Sequence, residues 1–370
     1  MSRKDYLFTS ESVSEGHPDK ICDRISDAVL DAFLSEEEMA RVACETFATT
    51  NRVVIGGEVG LADQSKLKLV KSNVDSIVRE CVKDIGYEQD GFHWRNLKVY
   101  NELHGQSADI ALGTDDFGAG DQGLMFGYAC TETDTYMPLA ISLSKKIIES
   151  VSAYSKYGPD IKSQVSVDYA ETGKPLRVSK VVCSAQHTAK QDIEIVRTNI
   201  KELIKKCLGD WVDNQTEYLI NPTGQFIIGG PDGDAGVTGR KIIVDTYGGY
   251  CPHGGGAFSG KDCTKVDRSG AYMARYIAKN IVHSFGVSNC TVQLSYAIGV
   301  KEPTSLYIYA DGQVREDLVK LVLDTVDLTP KGIIDRFDLF SINLKETARW
   351  GHFGYTYWPW ESLDLFNLFD

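Results

Sequence analysis

Three observations predict an internally repeated α+β protein of two or three interlocked domains. Short strands followed by a single long amphipathic helix recur about three times along the chain. No Pro- or Ser-rich linker separates these thirds. At roughly 150 residues per domain, 370 residues call for two or three domains.

Helical spacing of apolar residues predicts helices over 18–34, 66–85, 139–155, 192–208, 268–285 and 314–326. In the first, Ile21, Ile25, Ala28, Val29, Ala32 and Phe33 fall on one side, and Pro18 sits near the helix start, where proline is tolerated. Runs rich in Val, Ile and Tyr predict strands over 42–47, 53–59, 165–169, 178–183, 225–228, 241–247, 292–300 and 305–309. The first two form a hairpin turning near Thr50-Asn51, a register that puts Glu45 and Glu58 on one face. Gly120-Asp121-Gln122-Gly123 and Gly233-Asp234-Ala235-Gly236 echo each other, a match short enough to arise by chance.

Composition narrows the function classes. Hydrophobic residues make up 42% and charged residues 25%, ordinary globular values that exclude disorder and collagen. A net charge of −13 argues against a nucleic-acid coat or an anionic membrane surface, which need basic faces. The chain contains no apolar run of membrane-spanning length, and residues 1–10 lack a signal-peptide stretch, so a cytoplasmic protein is expected. The nine cysteines are never spaced C-x-x-C and read as buried fillers. The seven histidines contain no H-E-x-x-H or H-x-x-H pair.

Two glycine-rich segments carry the chemistry. Residues 253–262 run His-Gly-Gly-Gly-Ala-Phe-Ser-Gly-Lys-Asp ahead of a helix, where free backbone N–H groups and a lysine can receive phosphate. Gly255 to Lys261 fits G-x-x-x-x-G-K, but Asp262 stands where a P-loop needs Ser or Thr, so an ordinary P-loop kinase or GTPase is rejected. Upstream, residues 229–241 form a second glycine-rich turn ending in Arg240 and Lys241. Asp234, Arg240, Lys241, Lys261, Lys265 and Asp267 together read as a polyphosphate and metal site, with cations for the anion and carboxylates for a hard cation. His17 and Asp19 sit at the first helix's N-terminus, where the dipole favours anions. Asp23, Asp27 and Asp31 continue at four-residue spacing and are expected on a solvated helix face.

These motifs resemble methionine adenosyltransferase, also called S-adenosylmethionine synthetase. The resemblance covers nearly the whole chain, in order: residues 8–21, 43–46, 118–128, 229–249, 253–269, 295–300 and 351–354. It implies three similar, interleaved α/β units with pseudo-threefold symmetry, spanning about 4–104, 115–229 and 231–362. It implies ATP and L-methionine as substrates, triphosphate hydrolysed before release, Mg²⁺ (two per site) and K⁺ as cofactors, and a homodimer or dimer of dimers with shared active sites. His17, Asp160, Lys162, Phe226, Asp234, Arg240, Lys241, Ala257 and Lys261 match nucleotide-contacting positions. The resemblance assigns His17 and the cations Lys162, Arg240, Lys241, Lys261 and Lys265 to the phosphates. Glu58, Gln106, Asp121, Asp234, Lys265 and Ile298 match the methionine end, Asp19 and Asp267 match Mg²⁺ ligands, and Glu45 matches the K⁺ ligand. An alternative of another class is a non-catalytic nucleotide-binding paralogue acting as an assembly subunit.

The chain departs from the family pattern in places. The gate loop, usually K-Q-S-P-D-I, reads Gly105-Gln106-Ser107-Ala108-Asp109-Ile110. The usual G-R-F is Gly224-Gln225-Phe226, and F-P-W-E is Trp358-Pro359-Trp360-Glu361. The segment before Asp160 is shorter than the usual tryptophan-containing version.

Overall fold

A computed structural model describes residues 5–105 and 118–366. After β1 (Tyr6–Val13), the first repeat comprises α1 (Pro18–Glu36), β2 (Arg41–Thr49), β3 (Arg52–Gly60), α2 (Gln64–Ile85), the short pair β4 (Glu88–Gln89) and β5 (Phe92–His93), and β6 (Lys98–Gly105). After β7 (Gly123–Cys130), the second comprises α3 (Leu139–Ser152), β8 (Tyr157–Tyr169), β9 (Pro175–His187), α4 (Ile193–Leu208) and β10 (Glu217–Ile220). After β11 (Gly236–Val237) and the one-turn α5 (Ile242–Asp245), the third comprises α6 (Val266–Phe285), β12 (Asn289–Tyr296), β13 (Ser305–Ala310), β14 (Gln313–Val314) and α7 (Glu316–Thr325). It is followed by α8 (Pro330–Phe337).

Helix, hairpin, helix is thus repeated three times, and the first two repeats add a strand parallel to the hairpin's second strand. Each hairpin also receives an antiparallel outer strand from elsewhere in the chain. β1 joins β8-β9-β10, β11 joins β2-β3-β6, and β7 joins β12-β13-β14. This exchange explains the missing linkers, since every repeat is completed by a distant segment. The two G-D-x-G stretches lead directly into lent strands, Gly123 opening β7 and Gly236 opening β11, so their echo marks equivalent places in the fold.

Local sequence explains the ends of the elements. The Asp63 carboxylate accepts the Ser65 and Lys66 N–H groups at the start of α2, and Asp192 does the same for Glu194 and Ile195 on α4. Gly86, at φ 98°, ends α2 in a left-handed conformation that costs glycine little. The β2–β3 hairpin turns at Thr50-Asn51 as expected, with Asn51 at φ 51°.

Apolar side chains of the first and third repeats form one continuous core, and those of the second form another, with Tyr250 packed against both. Eight cysteines are buried and Cys207 is half-buried, in line with their reading as fillers.

Several local expectations are corrected. Residues 241–247 were expected as a strand from their Ile-Ile-Val run, yet 242–245 wind into α5, because Asp245 is drawn to the buried Lys20 ammonium (2.5 Å). Residues 225–228 form no strand. The backbone of Phe226 pairs with His187, its N–H donating to the ring Nε2 (3.1 Å) and its carbonyl accepting the His187 N–H (2.8 Å). The strand expected over 292–300 ends at Tyr296, where the chain turns and Gly299 N–H donates to the Ala119 carbonyl (2.8 Å).

The largest correction concerns α1. Asp23 and Asp27 are fully buried and Asp31 is half-buried, so the acidic row is no solvated face. Asp23 accepts the Gly239 N–H (2.8 Å), and Asp27 accepts the Gly260 N–H (2.8 Å) together with a bidentate Arg268 (2.7 and 3.1 Å). Asp31 accepts the Leu344 and Lys345 N–H groups (2.9 Å each). Helical spacing aligned these carboxylates, and residues 239–268 and 344–345 fill the space that water was expected to occupy.

Candidate active site

The first turn of α1 organises one cluster. His17 caps the helix, its Nδ1 accepting the Asp19 N–H (3.1 Å). That bond makes Nδ1 the bare nitrogen of a neutral ring and puts the proton on Nε2. Burial, then the charges of Lys241 and Lys162, push the His17 pKa down to about 3, so the ring is neutral at neutral pH. Asp19 accepts the Val237 N–H (3.0 Å) on one carboxylate oxygen and the Lys241 ammonium (2.8 Å) on the other, with the Arg240 guanidinium 3.7 Å away. Burial alone would raise its pKa, but the Lys241 and Val237 hydrogen bonds outweigh this and hold it below the usual carboxylate value.

Lys162 stands on β8 opposite Val13, within electrostatic reach of His17. Asp160, two residues earlier and buried, accepts the Gly230 N–H (2.9 Å) on one oxygen, while its other oxygen has no protein partner. Burial raises its pKa to about 6. Asp234 is exposed on the same turn, its N–H donating to the Gly230 carbonyl (3.1 Å). Gln186 and Gln89, which the sequence did not single out, brace this turn. Gln186 donates to the Ile227 carbonyl (3.0 Å) and Gln89 to the Gly229 carbonyl (2.7 Å).

A second cluster surrounds the first turn of α6. Asp267 accepts the Lys261 ammonium (2.5 Å), and the backbone of Gly256 passes so close that an added Cβ would lie 2.3 Å from the carboxylate. Lys261 bridges Ala43 at the edge of β2. Ala43 pairs with Glu58 and Glu58 with His104, so Lys261, Glu58 and His104 share one row across the sheet. Glu45 lies exposed on the same face of β2 as Ala43, diagonal to Glu58, as the hairpin register requires. Lys265 is drawn to buried Asp262, which also accepts the Val42 N–H (2.7 Å) and the Thr264 hydroxyl (2.6 Å). Asp262 therefore fastens the glycine-rich loop to β2, a structural duty at the position where a P-loop carries its metal-binding hydroxyl.

The two clusters meet at one point. Gly239, next to Arg240, sits so close to Ala257 that an added Cβ would lie 2.6 Å from the Ala257 Cβ. Asp121 is exposed just before β7, and Ile298 is 66% exposed in the turn after β12. Gln106 and the rest of the altered gate loop after Gly105 lie outside the described residues. A separate cleft of about 920 Å³ between α1, α2 and residues 340–345 contains none of the predicted site residues.

Two helix N-termini, each carrying a lysine-paired aspartate and flanked by glycine-rich turns, stand in an α+β fold of three repeats. Comparison with known proteins makes the class specific. The N-terminal, central and C-terminal domain families of S-adenosylmethionine synthetase match residues 5–108, 116–226 and 228–362. The S-adenosylmethionine synthase of Cereibacter sphaeroides is 55% identical, with 99% of this chain and 98% of that protein covered. That of Jannaschia is 56% identical over the same shares. A solved S-adenosylmethionine synthetase from Campylobacter jejuni, described as unusual, superposes with a TM-score of 0.90 at 40% identity, covering 97% of each chain. The chain belongs to the S-adenosylmethionine synthetase family.

Proposed function

We propose that this protein joins ATP and L-methionine to form S-adenosylmethionine and then cleaves the bound triphosphate to phosphate and diphosphate. The observation that carries this reading is the gathering of His17, Lys162, Arg240 and Lys241 at the first turn of α1. The methionine thioether is already nucleophilic and has no proton to lose, so its attack on C5′ needs no general base. The demand is alignment and stabilisation of the departing triphosphate. His17, neutral with its proton on Nε2, supplies a hydrogen bond to the departing oxygen, while Lys162, Arg240, Lys241 and Lys261 offset the phosphate charge. Phe226 would pack on adenine and Asp160 would take a nucleotide donor on its unpartnered oxygen. Glu58, Gln106 and Asp121 would hold the amino-acid end of methionine, with Asp234, Lys265 and Ile298 beside it.

The donor chemistry at both helix starts fits Mg²⁺. Among the described residues no group of three or more acidic, histidine or cysteine side chains forms an all-protein cage. Mg²⁺ is commonly held by one or two carboxylates plus substrate phosphates, and Asp19 and Asp267 offer one each. Bound there, Mg²⁺ would neutralise phosphate charge. Glu45 is our candidate for K⁺, supported only by its place beside Glu58 on an exposed sheet face.

We further propose that two copies of the chain share each site, as a homodimer or a dimer of dimers. What supports this is the spacing within one copy. Val237 pairs opposite Phe47 and Lys261 opposite Ala43, so the two loops dock four residues, roughly 13 Å, apart along β2, although they touch at Gly239 and Ala257. Each loop's lysine is paired with its own aspartate.

The test is direct. Incubation with ATP, methionine, Mg²⁺ and K⁺ should release S-adenosylmethionine, phosphate and diphosphate in equal amounts, and methionine-independent nucleotide binding alone would leave only the assembly-subunit reading.

A further inference from the structure

We propose that Asp23 is a positioning residue for Arg240 and Lys241, acting through the backbone N–H of Gly239. The inference rests on the reading of those two cations as triphosphate ligands. Asp23 touches neither cation. It lies fully buried on α1 and accepts the Gly239 N–H (2.8 Å), while Lys20 reaches its other oxygen at 3.1 Å. Lys20 in turn holds Asp245 (2.5 Å), the last residue of α5.

The turn carrying the two cations is thereby tied to α1 along its length. Asp19 takes the Val237 N–H, Asp23 takes the Gly239 N–H, and Lys20 takes the Asp245 carboxylate. Arg240 and Lys241 fall between the Gly239 and Asp245 contacts, and Asp19 also holds the Lys241 ammonium directly (2.8 Å). Thr238, between Val237 and Gly239, bridges α1 and β2: its hydroxyl lies 2.8 Å from the Ser26 hydroxyl and donates to the Cys22 carbonyl (3.3 Å), while its N–H donates to the Thr46 carbonyl of β2 (3.0 Å). Gly239 itself holds φ 79° and is backed by Ala257, so the turn has no room to move toward the second cluster. With the Asp23 acceptor removed, the Gly239 N–H loses its partner and the backbone anchor adjoining Arg240 is gone. Small displacements of phosphate-holding groups are costly in transfer reactions, because the stabilising charge must meet the departing oxygen where it forms.

The experiment compares the full-length Asp23→Ala, Asp23→Asn, Gly239→Ala and Asp31→Asn proteins with the parent. It reads kcat, the KM for methionine, and affinity for inorganic tripolyphosphate by calorimetry, with melting curves to confirm folding. Asp23→Ala is expected to lower kcat and tripolyphosphate affinity by about tenfold or more, leaving the methionine KM within about twofold, a signature of misplaced phosphate ligands. Asp23→Asn keeps an oxygen for the Gly239 N–H and should restore most of the loss. Asp31→Asn, which concerns only the Leu344–Lys345 turn, should leave all three readouts near parent values.

A folded Asp23→Ala protein with unchanged kcat and tripolyphosphate affinity overturns the proposal, as does an Asn variant as impaired as the Ala variant. Should Asp23→Ala fail to fold, Gly239→Ala, which displaces the same turn while leaving Asp23 intact, must show the same split, and parent-like behaviour there overturns it. A parent protein that makes no S-adenosylmethionine refutes the enzymatic reading instead, and the tripolyphosphate comparison still judges the role of Asp23.

Discussion

Asp19 and Asp267 hold the same place in two of the three repeats. Each is the second residue of a long, largely buried helix, and each carboxylate is bonded to a lysine, Lys241 at 2.8 Å and Lys261 at 2.5 Å. Each also faces the glycine that opens a lent strand: an added Cβ would lie 2.8 Å from the Asp19 nitrogen at Gly236 and 3.3 Å from the Asp267 carboxylate at Gly123. The remaining repeat begins its helix α3 with Leu139-Ala140 and carries no carboxylate there. Internal repetition thus presents a lysine-paired carboxylate at two helix starts and apolar residues at the third.

This equivalence predicts parallel behaviour. Asp19→Asn and Asp267→Asn should each shift the Mg²⁺ concentration needed for half-maximal activity upward, since an amide oxygen is a weaker ligand for a hard cation. A Mg²⁺ titration of each variant checks this. An unchanged midpoint for one of them removes that residue from the metal site while leaving the other in place.

The lysines bound to these aspartates carry a separate prediction. Lys241→Ala and Lys261→Ala should each lower turnover by about 10²-fold, the scale of losing one group that stabilises a departing anion. Steady-state rates at saturating ATP and methionine decide it. Rates within threefold of the parent in either variant take that lysine out of the mechanism.

Much of this arrangement was legible in the sequence, because glycine-rich turns ending in cations need particular residue types wherever they occur. The hairpin register placing Glu45 and Glu58 on one face also followed from strand periodicity alone. Burial was not legible. Helical spacing aligned Asp19, Asp23, Asp27 and Asp31 without revealing whether water or protein faced them, and the partners come from residues 237–268 and 344–345. Residues 241–247 misled for a related reason. Their apolar run fits a strand, but the buried Lys20–Asp245 pair, a contact 225 residues apart, fixes a helical turn.

His17 gives a prediction about acid stability. Its folded pKa of about 3 lies below the ordinary imidazole value of 6.5, chiefly through burial. Between those values the unfolded chain binds a proton that the folded chain refuses, so this residue's contribution to stability falls as the pH drops from 6.5 toward 3. His17→Gln, which cannot take up the proton, should show a shallower loss of denaturation midpoint across that window. Identical slopes for parent and variant would show that His17 is not held neutral.

The Asp27–Arg268 pair predicts the largest structural cost. Both side chains are fully buried, and Arg268 also donates to Thr347 (2.9 Å) and to the Phe258 and Lys261 carbonyls (3.2 Å each). Arg268→Ala leaves Asp27 as an uncompensated buried charge, which should destabilise the protein by about 3–5 kcal/mol. Adding Asp27→Asn removes that charge while keeping an acceptor for the Gly260 N–H, so the double variant should be more stable than Arg268→Ala alone. Urea unfolding of the three proteins measures both effects. A double variant no more stable than the single one would mean that the cost comes from the lost Thr347 and carbonyl bonds, and that Asp27 is held by the Gly260 N–H without need of its counter-charge.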